Sequence, residues 1–174
     1  MRTALVVGGT GMLRGVTEEL VARGVETTVV ARRADRVPDG AKGIACDYRD
    51  TGAFVDAVRE AGPFDLTVVW IHSVAPEAPM ALARVLTESG TPVRYVHVLG
   101  SAVADPSAPD DGRRQAFEAV GGLSYDEVVL GFVRGRLFSR WLRHDEIASG
   151  VLAAIDEDAP RHIVGTVEPW SARP

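Results

Sequence analysis

The chain has 174 residues, of which 46% are hydrophobic and 25% are charged, and its formal net charge is -5. This length fits one domain over residues 1–174, because domains of about 100 to 200 residues are the common case. No apolar run approaches the ~20 residues that span a bilayer, and the N-terminus shows no export signal, so we expect a cytoplasmic protein without a membrane partner. The acidic balance argues against a nucleic-acid surface, which needs a concentrated basic face. Cys46 is the only cysteine, which excludes an intrachain disulfide and a cysteine-rich metal site.

The first element in chain order is the apolar run 3–7, which predicts a strand buried on both faces of a parallel sheet. Clustered glycines at 8–11 lead into an amphipathic pattern, so we expect a tight turn followed by a helix. Such a turn points the free N–H groups of the helix at the C-terminal edge of the strand, where the pyrophosphate of a dinucleotide binds.

The glycine spacing departs from the usual dinucleotide motif. A strict G-x-G-x-x-G would place its third glycine at Arg14. Here Gly15 follows one residue late, which predicts a looser contact between helix and strand. A simple turn that feeds a helix is the alternative interpretation.

Two adjacent arginines, Arg32 and Arg33, follow the second predicted strand, 25–31. An NAD site commonly has Asp or Glu at this point to accept from the ribose 2′-hydroxyl, whereas arginine suits a 2′-phosphate. We therefore predict NADP(H) as the cofactor, ahead of NAD(H). The alternative is a solvated surface in which Arg32, Arg33 and Arg36 lie beside Asp35.

The rest of the chain alternates strands with helices. Further strands are predicted over 43–46, 64–71, 93–99, 125–133 and 161–167, with 64–71 at the centre of the sheet, and helices over 78–89, 113–120 and from 145 onward. Two segments fall outside this alternation: 102–112 is predicted to be a mobile loop that serves as a lid, and 134–143 an irregular basic segment. The pattern indicates an α/β, doubly wound (Rossmann-type), mostly parallel sheet of six to seven strands with helices on both faces.

Several of these features together resemble the short-chain dehydrogenase/reductase superfamily. They are the turn Gly8-Gly9-Thr10-Gly11, the arginines after the second strand, Asp47-Tyr48 after the third, and Ser101 after the fifth. The resemblance covers most of the chain. The segment Phe138-Ser139-Arg140-Trp141-Leu142, followed by Asp145-Glu146-Ile147, is similar to the C-terminal pattern of small bacterial proteins of this kind. The resemblance implies an NAD(P)-binding Rossmann domain with oxidoreductase activity.

The resemblance also implies roles for individual residues. The turn residues would wrap the pyrophosphate, the two arginines would hold the 2′-phosphate, and Asp47 would meet the adenine amine. His72-Ser73-Val74-Ala75 occupies the place of the family's Asn-Asn-Ala-Gly, and Ser101 falls where the family's catalytic serine lies. The residues that would bind the cofactor are Gly8, Gly9, Thr10, Gly11, Met12, Leu13, Arg32, Arg33, Asp47, Tyr48 and Ser73.

The chain lacks the Tyr-x-x-x-Lys pair with which carbonyl-reducing members of that superfamily work. Tyr125 is followed four positions later by Val129, and Lys42, the only lysine, lies far upstream. A missing general acid costs about 10²- to 10⁴-fold for a ketone, but matters less for an acceptor that is already cationic, such as an iminium. We therefore expect an imine or an activated carbonyl or double bond as the acceptor.

Two side chains are candidates for the chemistry itself. His72 leaves the C-terminal end of the central strand, where doubly wound sheets bind ligands, and imidazole can donate a proton near neutral pH. Ser101 could donate a hydrogen bond to the substrate. For both residues an ordinary structural role is an equally weighted alternative. His97 is expected in the core, and His144 and His162 at the surface. No histidine spacing indicates a metal site.

The sequence thus predicts an NADP(H)-dependent oxidoreductase of the short-chain type that acts on a small molecule and forms a homodimer. The arginines at 134, 136, 140 and 143 suit an anionic substrate or the cofactor, or equally a solvated, Trp141-anchored surface or subunit contact. Two alternatives stay open. One is a protein that binds NADP(H) or senses its redox state without turnover, and the other is a structural protein.

Overall fold

The computed structural model describes residues 1–107 and 112–174. The strands in those residues are β1 (Thr3–Val7), β2 (Glu26–Ala31), β3 (Lys42–Ala45), β4 (Leu66–Val69), β5 (Val93–Gly100), β6 (Leu123–Leu130), β7 (Phe132–Arg134), β8 (Ser139–Trp141) and β9 (Arg161–Val164). The α-helices are α1 (Arg14–Ala22), α2 (Thr51–Ala61), α3 (Ala78–Thr87), α4 (Arg113–Glu118) and α5 (His144–Glu157). Short 3-10 helices follow at Ser101–Ala104 and Trp170–Ala172, among others.

Seven of the described strands form one parallel sheet in the order β3-β2-β1-β4-β5-β6-β9, and β7 pairs with β8 in a separate antiparallel hairpin. β1 lies between β2 and β4, so the strand order reverses beside it. In open α/β sheets, a crevice forms at the carboxyl ends of the strands at such a reversal. The predicted α/β, doubly wound architecture is confirmed, and β4 lies in the middle of the sheet as expected.

The described residues pack two hydrophobic cores on opposite faces of the sheet, because successive residues of a strand point to opposite sides. Along β1, Ala4 and Val6 pack with α1 and α5, whereas Leu5 and Val7 pack with α2 and α3. Both faces of the strand are therefore apolar, as its continuous hydrophobic run predicts. No helix in the described part of the chain is long and apolar enough to cross a membrane.

Two glycines let α1 pack closely against its neighbours. A Cβ on Gly9 would lie 2.6 Å from Thr17 Oγ1, and a Cβ on Gly15 would lie 2.9 Å from the Cβ of Ala148 on α5. Gly9 thus provides the tight contact between the turn and α1, and Gly15 lets α1 and α5 approach each other.

The basic segment 134–143, expected to be irregular, is largely a hairpin. β7 and β8 pair in register from Phe132 opposite Trp141 to Arg134 opposite Ser139. Each strand is only three residues long, which is too short for the alternation of polar and apolar residues to signal a strand.

The remaining differences between the expected and the observed structure concern where individual strands, helices and loops begin and end. The sixth strand, expected over 125–133, breaks at Gly131, where a Cβ would lie 2.2 Å from the carbonyl oxygen of Thr166. Of the expected lid 102–112, residues 108–111 lie outside the described residues, and its beginning is helical. The structure also corrects the expected ranges 43–46, 64–71, 78–89, 113–120 and 161–167 to the bounds of β3, β4, α3, α4 and β9.

A buried polar network joins β5, β6 and α4. His97 Nδ1 lies 3.0 Å from Tyr125 Oη, and the Tyr125 hydroxyl donates to Glu127 Oε1 at 3.3 Å. Arg113 and Arg114 lie 3.2 and 3.3 Å from the Glu127 carboxylate, which is only 2% exposed. Because both partners are cationic, they offset the free-energy cost of burying the Glu127 carboxylate. Burial, and to a smaller extent the charge of Arg113, lowers the pKa of His97 to about 3.

The buried histidine makes stability depend on pH. The pKa of histidine in an unfolded chain is about 6.5, so between that value and about pH 3 the unfolded state binds one more proton than the folded state. The free energy of unfolding should therefore fall with pH below 6.5, by about 1.4 kcal/mol per pH unit from this group. His97→Gln should remove that slope between pH 6.5 and 5 in urea unfolding, since the other acid-sensitive groups are unchanged. A variant with the full wild-type slope would contradict the assignment.

Candidate functional site

The candidate site begins at the turn after β1. Gly8 has a φ of +92°, and a Cβ there would lie 3.2 Å from the carbonyl oxygen of Trp70, at the end of β4. The Gly11 N–H donates to the Gly8 carbonyl at 3.3 Å and closes the turn. Glycine adopts this left-handed backbone without the steric cost of a Cβ, so the apolar strand can end directly against β4.

The turn that leads into α1 leaves backbone N–H groups without an acceptor. The N-cap residue Leu13 provides no side-chain acceptor, and the N–H groups of Met12 and Leu13 donate to no acceptor in the described part of the chain. A Cβ on Gly11 would have only the Gly8 carbonyl oxygen near it, at 3.9 Å, so the space beside this turn is open. Unpaired N–H groups and the positive end of a helix dipole both attract anions. The turn is therefore suited to a diphosphate.

A cleft of about 390 Å³ opens at this turn, along the carboxyl ends of β1 to β4. Its volume lies in the range of about 300 to 1,000 Å³ that is usual for small-molecule sites. The lining residues come from the turn, from β2, from the segments after β3 and β4, and from the start of α5. They are Gly8, Thr10, Gly11, Met12, Val30, Ala31, Arg32, Cys46, Tyr48, Trp70, His72 and His144. Of the residues predicted to wrap a pyrophosphate, Gly9 and Leu13 are buried behind this surface, so Leu13 would contribute its backbone alone.

The two arginines after β2 have different surroundings. Arg33 donates to both carboxylate oxygens of Asp35, at 2.9 and 3.3 Å, and this pairing raises the pKa of the guanidinium and lowers that of the carboxyl. Arg32 is exposed, lines the cleft, and forms no hydrogen bond or ion pair with any described residue. The two arginines predicted to bind a 2′-phosphate therefore differ in their surroundings. Arg32 is placed to meet an anion, whereas Arg33 belongs to the solvated surface considered as the alternative.

Tyr48 lines the cleft, but Asp47 does not. The Asp47 carboxylate accepts a hydrogen bond from the backbone N–H of Arg49 at 3.0 Å and another from its Nε at 2.9 Å. These bonds lower the pKa of Asp47 to about 2. Asp47 is therefore anionic near neutral pH and already partnered, so an adenine amine would share it with Arg49.

His72 and Trp70 lie at the part of the cleft that follows β4. Their rings meet edge to face with centroids 5.3 Å apart, and His72 is exposed. The Trp70 ring extends toward β5, where a Cβ on Gly100 would lie 3.9 Å from its Cη2. Ser101 follows directly but is only 8% exposed, and neither Ser101 nor Ser73 lines the cleft. The structure thus brings His72 into the cleft and leaves the two predicted serines outside its lining.

Sequence reasoning misses Cys46, Trp70 and His144 as cleft residues. Cys46 and Trp70 directly follow strands, and their position at the carboxyl edge of the sheet is a signal that could have found them. His144 begins α5, as expected of a helix-start residue at the surface. It reaches the cleft because α5 packs against α1 at the contact between Gly15 and Ala148. Sequence spacing does not reveal that contact.

The arginines of the hairpin region are divided between structural pairs and exposed cations. Arg140 donates to the Glu146 carboxylate at 2.7 and 2.8 Å, whereas Arg134 and Arg136 are exposed and have no ion-pair partner in residues 1–107 and 112–174. None of the three lines the cleft. No group of three or more His, Cys, Asp or Glu side chains among the described residues is arranged to hold a metal ion.

The fold matches solved short-chain dehydrogenases. A short-chain dehydrogenase from Streptomyces avermitilis has a TM-score of 0.66 and 20% identity, over 95% of this chain and 88% of that one. An apo SCOR enzyme from Clostridium thermocellum has a TM-score of 0.69 and 14% identity, over 94% and 91%. A metagenomic short-chain oxidoreductase in complex with NADP has a TM-score of 0.63 and 17% identity, over 94% of both chains. No protein-family model and no curated protein matches the sequence. The fold implied by the resemblance is confirmed.

Alanine substitutions at Gly11 and at Gly9 should affect different properties, the first coenzyme binding and the second stability. Gly11→Ala adds a methyl to the open space beside the uncapped N–H groups, so we expect a near-wild-type Tm and about 10-fold or more weaker binding of NADP⁺ in calorimetry. Gly9→Ala inserts a methyl 2.6 Å from Thr17 Oγ1 and should lower stability by about 1 to 3 kcal/mol. A stable Gly11→Ala variant that binds NADP⁺ as the wild type does would contradict the assignment of this turn.

Proposed function

We propose that the protein is an NADP(H)-dependent oxidoreductase of the short-chain dehydrogenase/reductase type that acts on a small molecule. The observation that carries the proposal is a single cleft that combines the uncapped N–H groups of the α1 turn with the unpaired guanidinium of Arg32. The N–H groups suit a diphosphate, and the guanidinium suits the 2′-phosphate that distinguishes NADP(H) from NAD(H). The neighbour of the same fold that is described in complex with NADP supports the same choice.

The cleft residues fit the parts of this coenzyme. The N–H group of Met12 would bind the diphosphate, Arg32 the 2′-phosphate, and Tyr48 would lie beside the adenine. His72 lies at the part of the cleft after β4, where the nicotinamide would reach. His144, at the start of α5, lines the same cleft as the α1 turn.

Bound NADPH would supply a hydride. The residues of the chain would orient an acceptor beside it, exclude water and deliver a proton. His72 contributes an imidazole at that part of the cleft, and imidazole is a common general acid in enzymes. Because the chain has no Tyr-x-x-x-Lys, an acceptor that needs little acid assistance is favoured. We therefore propose an imine or an activated carbonyl or double bond as the substrate class.

Deuterium transfer tests the proposal directly. The protein is incubated with 4-deuterated NADPH and a panel of cyclic imines, diketones and enones, and deuterium in the products is measured by mass spectrometry. Protein-dependent transfer that is slower in Gly11→Ala at subsaturating NADPH is the expected result. Binding of NADPH without transfer to any acceptor would support a redox-sensing protein instead, and no binding would refute both.

Arg32 should determine coenzyme preference. Arg32→Gln is expected to weaken NADPH binding by about 10- to 100-fold with little change for NADH, because charge-assisted hydrogen bonds contribute about 1.5 to 3 kcal/mol. The matched control is Arg33→Gln, which removes an arginine already paired with Asp35 and should leave both affinities close to wild type. Equal effects of the two substitutions would show that the structure does not separate their roles.

His72 should affect turnover more than coenzyme binding. With an acceptor identified in the deuterium assay, His72→Gln is expected to lower kcat by about 10²-fold, as for loss of a general acid. The Kd for NADPH should change little. A kcat in His72→Gln equal to that of the wild type would exclude the histidine as proton donor.

Ser101→Ala tests the role implied by the resemblance, for which a raised KM is expected.

A further inference from the structure

A second cleft, of about 620 Å³, lies at the same edge of the sheet. Its walls are formed by Ala104 and Pro106 after β5, by Arg134 of β7, and by residues 167–170 after β9. The first cleft follows β1 to β4, whereas this one follows β5, β6 and β9. Within the described chain the two clefts share no lining residue, so their occupants would not compete for the same groups.

The walls of the second cleft are held by backbone contacts. Phe132 and Thr166 exchange two hydrogen bonds, N–H to carbonyl, at 2.8 and 2.9 Å. Gly131 permits this approach, because a Cβ there would lie 2.2 Å from the Thr166 carbonyl oxygen. The segment after β9 is therefore fixed to β7, and Arg134 at the end of β7 faces the same cleft as the residues that follow Thr166.

The second cleft combines a cation with an apolar wall. Arg134 is exposed and forms no ion pair with a described residue, and Pro106, Val167 and Trp170 line the same cleft. The Trp170 ring is held by the guanidinium of Arg173, 4.3 Å from its centroid. An arginine fork pairs with a carboxylate through two hydrogen bonds, and an indole packs against planar apolar groups.

We propose that this cleft binds a planar organic monocarboxylate, with its carboxylate on Arg134 and its apolar body against Trp170 and the adjacent prolines. The carboxylate of Glu168 also lines the cleft. Its negative charge disfavours dianions such as phosphate monoesters, because like charges in one cleft repel each other. A largely apolar molecule with one carboxylate can pair with Arg134 through its charge and pack its apolar body against the wall.

The position of this cleft makes its ligand a candidate substrate, a role that rests on the proposed function. Trp70 lines the coenzyme cleft and reaches the backbone at Gly100, and the segment that follows Gly100 carries Ser101 and then Ala104 of the second cleft. The segment after β5 therefore runs from beside a side chain of the coenzyme cleft to a wall of the second cleft. Binding of the carboxylate itself requires no coenzyme.

The test uses 2-naphthoate as the probe and 2-naphthylmethanol as its neutral counterpart, each titrated calorimetrically into the protein without coenzyme. We expect 2-naphthoate to bind and the alcohol to bind about 10-fold or more weakly. Arg134→Gln should weaken 2-naphthoate binding by a similar factor, whereas Arg136→Gln, which removes an exposed arginine of the same hairpin outside the cleft, should not. Glu168→Gln should tighten the binding of 2-naphthoate, because it removes a negative charge from the cleft. Trp170→Leu, checked for an unchanged Tm, should weaken both probes.

The outcomes separate this inference from the proposed function. Binding of 2-naphthoate that depends on Arg134 supports the site even if no deuterium is transferred from NADPH to any acceptor. Coenzyme binding and deuterium transfer without any binding of 2-naphthoate at millimolar concentration would overturn the site and leave the proposed function standing. Equal affinity for the acid and the alcohol, or equal effects of Arg134→Gln and Arg136→Gln, would also overturn it.

Discussion

The candidate site depends on the close packing of one turn. Gly8 lies against the carbonyl of Trp70, directly after β4, and Gly9 lies against Thr17 of α1, with no room for a Cβ at Gly9. The helix therefore starts directly beside the reversal in strand order. Its N-cap position carries Leu13, whereas Ser, Thr, Asp or Asn there would cap the helix and contribute about 1 kcal/mol. A helix start that lacks this cap and opens into a cleft is what an anion-binding site requires.

The sheet distributes the remaining functions along the same edge. The ends of β1 to β4 form the coenzyme cleft, and the ends of β5, β6 and β9 form the second cleft. On β6, the carboxylate of Glu127 is buried against Arg113 and Arg114 and contacts the Tyr125 hydroxyl. This network joins β5, β6 and α4 through buried and partly buried polar groups, and such groups hold strands in one register when every member is satisfied. His72, after β4, lines the coenzyme cleft, and Ser101, after β5, lies outside the lining of both clefts.

The sequence predicts what local patterns determine. The glycine turn, the parallel strands and the arginines after β2 are contiguous signals, and each follows from strand burial, turn chemistry or charge. Sequence cannot separate Arg32 from Arg33, because the difference arises only when Asp35 folds back in the short helix after β2. The place of His144 in the cleft depends on the contact between α1 and α5, which joins residues far apart in the chain. A homodimer and a cytoplasmic location stay predictions, since neither leaves a signature within one folded chain.

The most direct measurement of the central claim is an amide NMR titration of the wild-type protein with NADP⁺. If the uncapped N–H groups of Met12 and Leu13 receive the diphosphate, their amide resonances and those of the adjacent Thr10 and Gly11 should shift together and saturate, and those of Val21 and Ala22 at the far end of α1 should not. Saturable binding that leaves these four amides unshifted, or no binding at millimolar coenzyme, would contradict the claim that this turn is the coenzyme site.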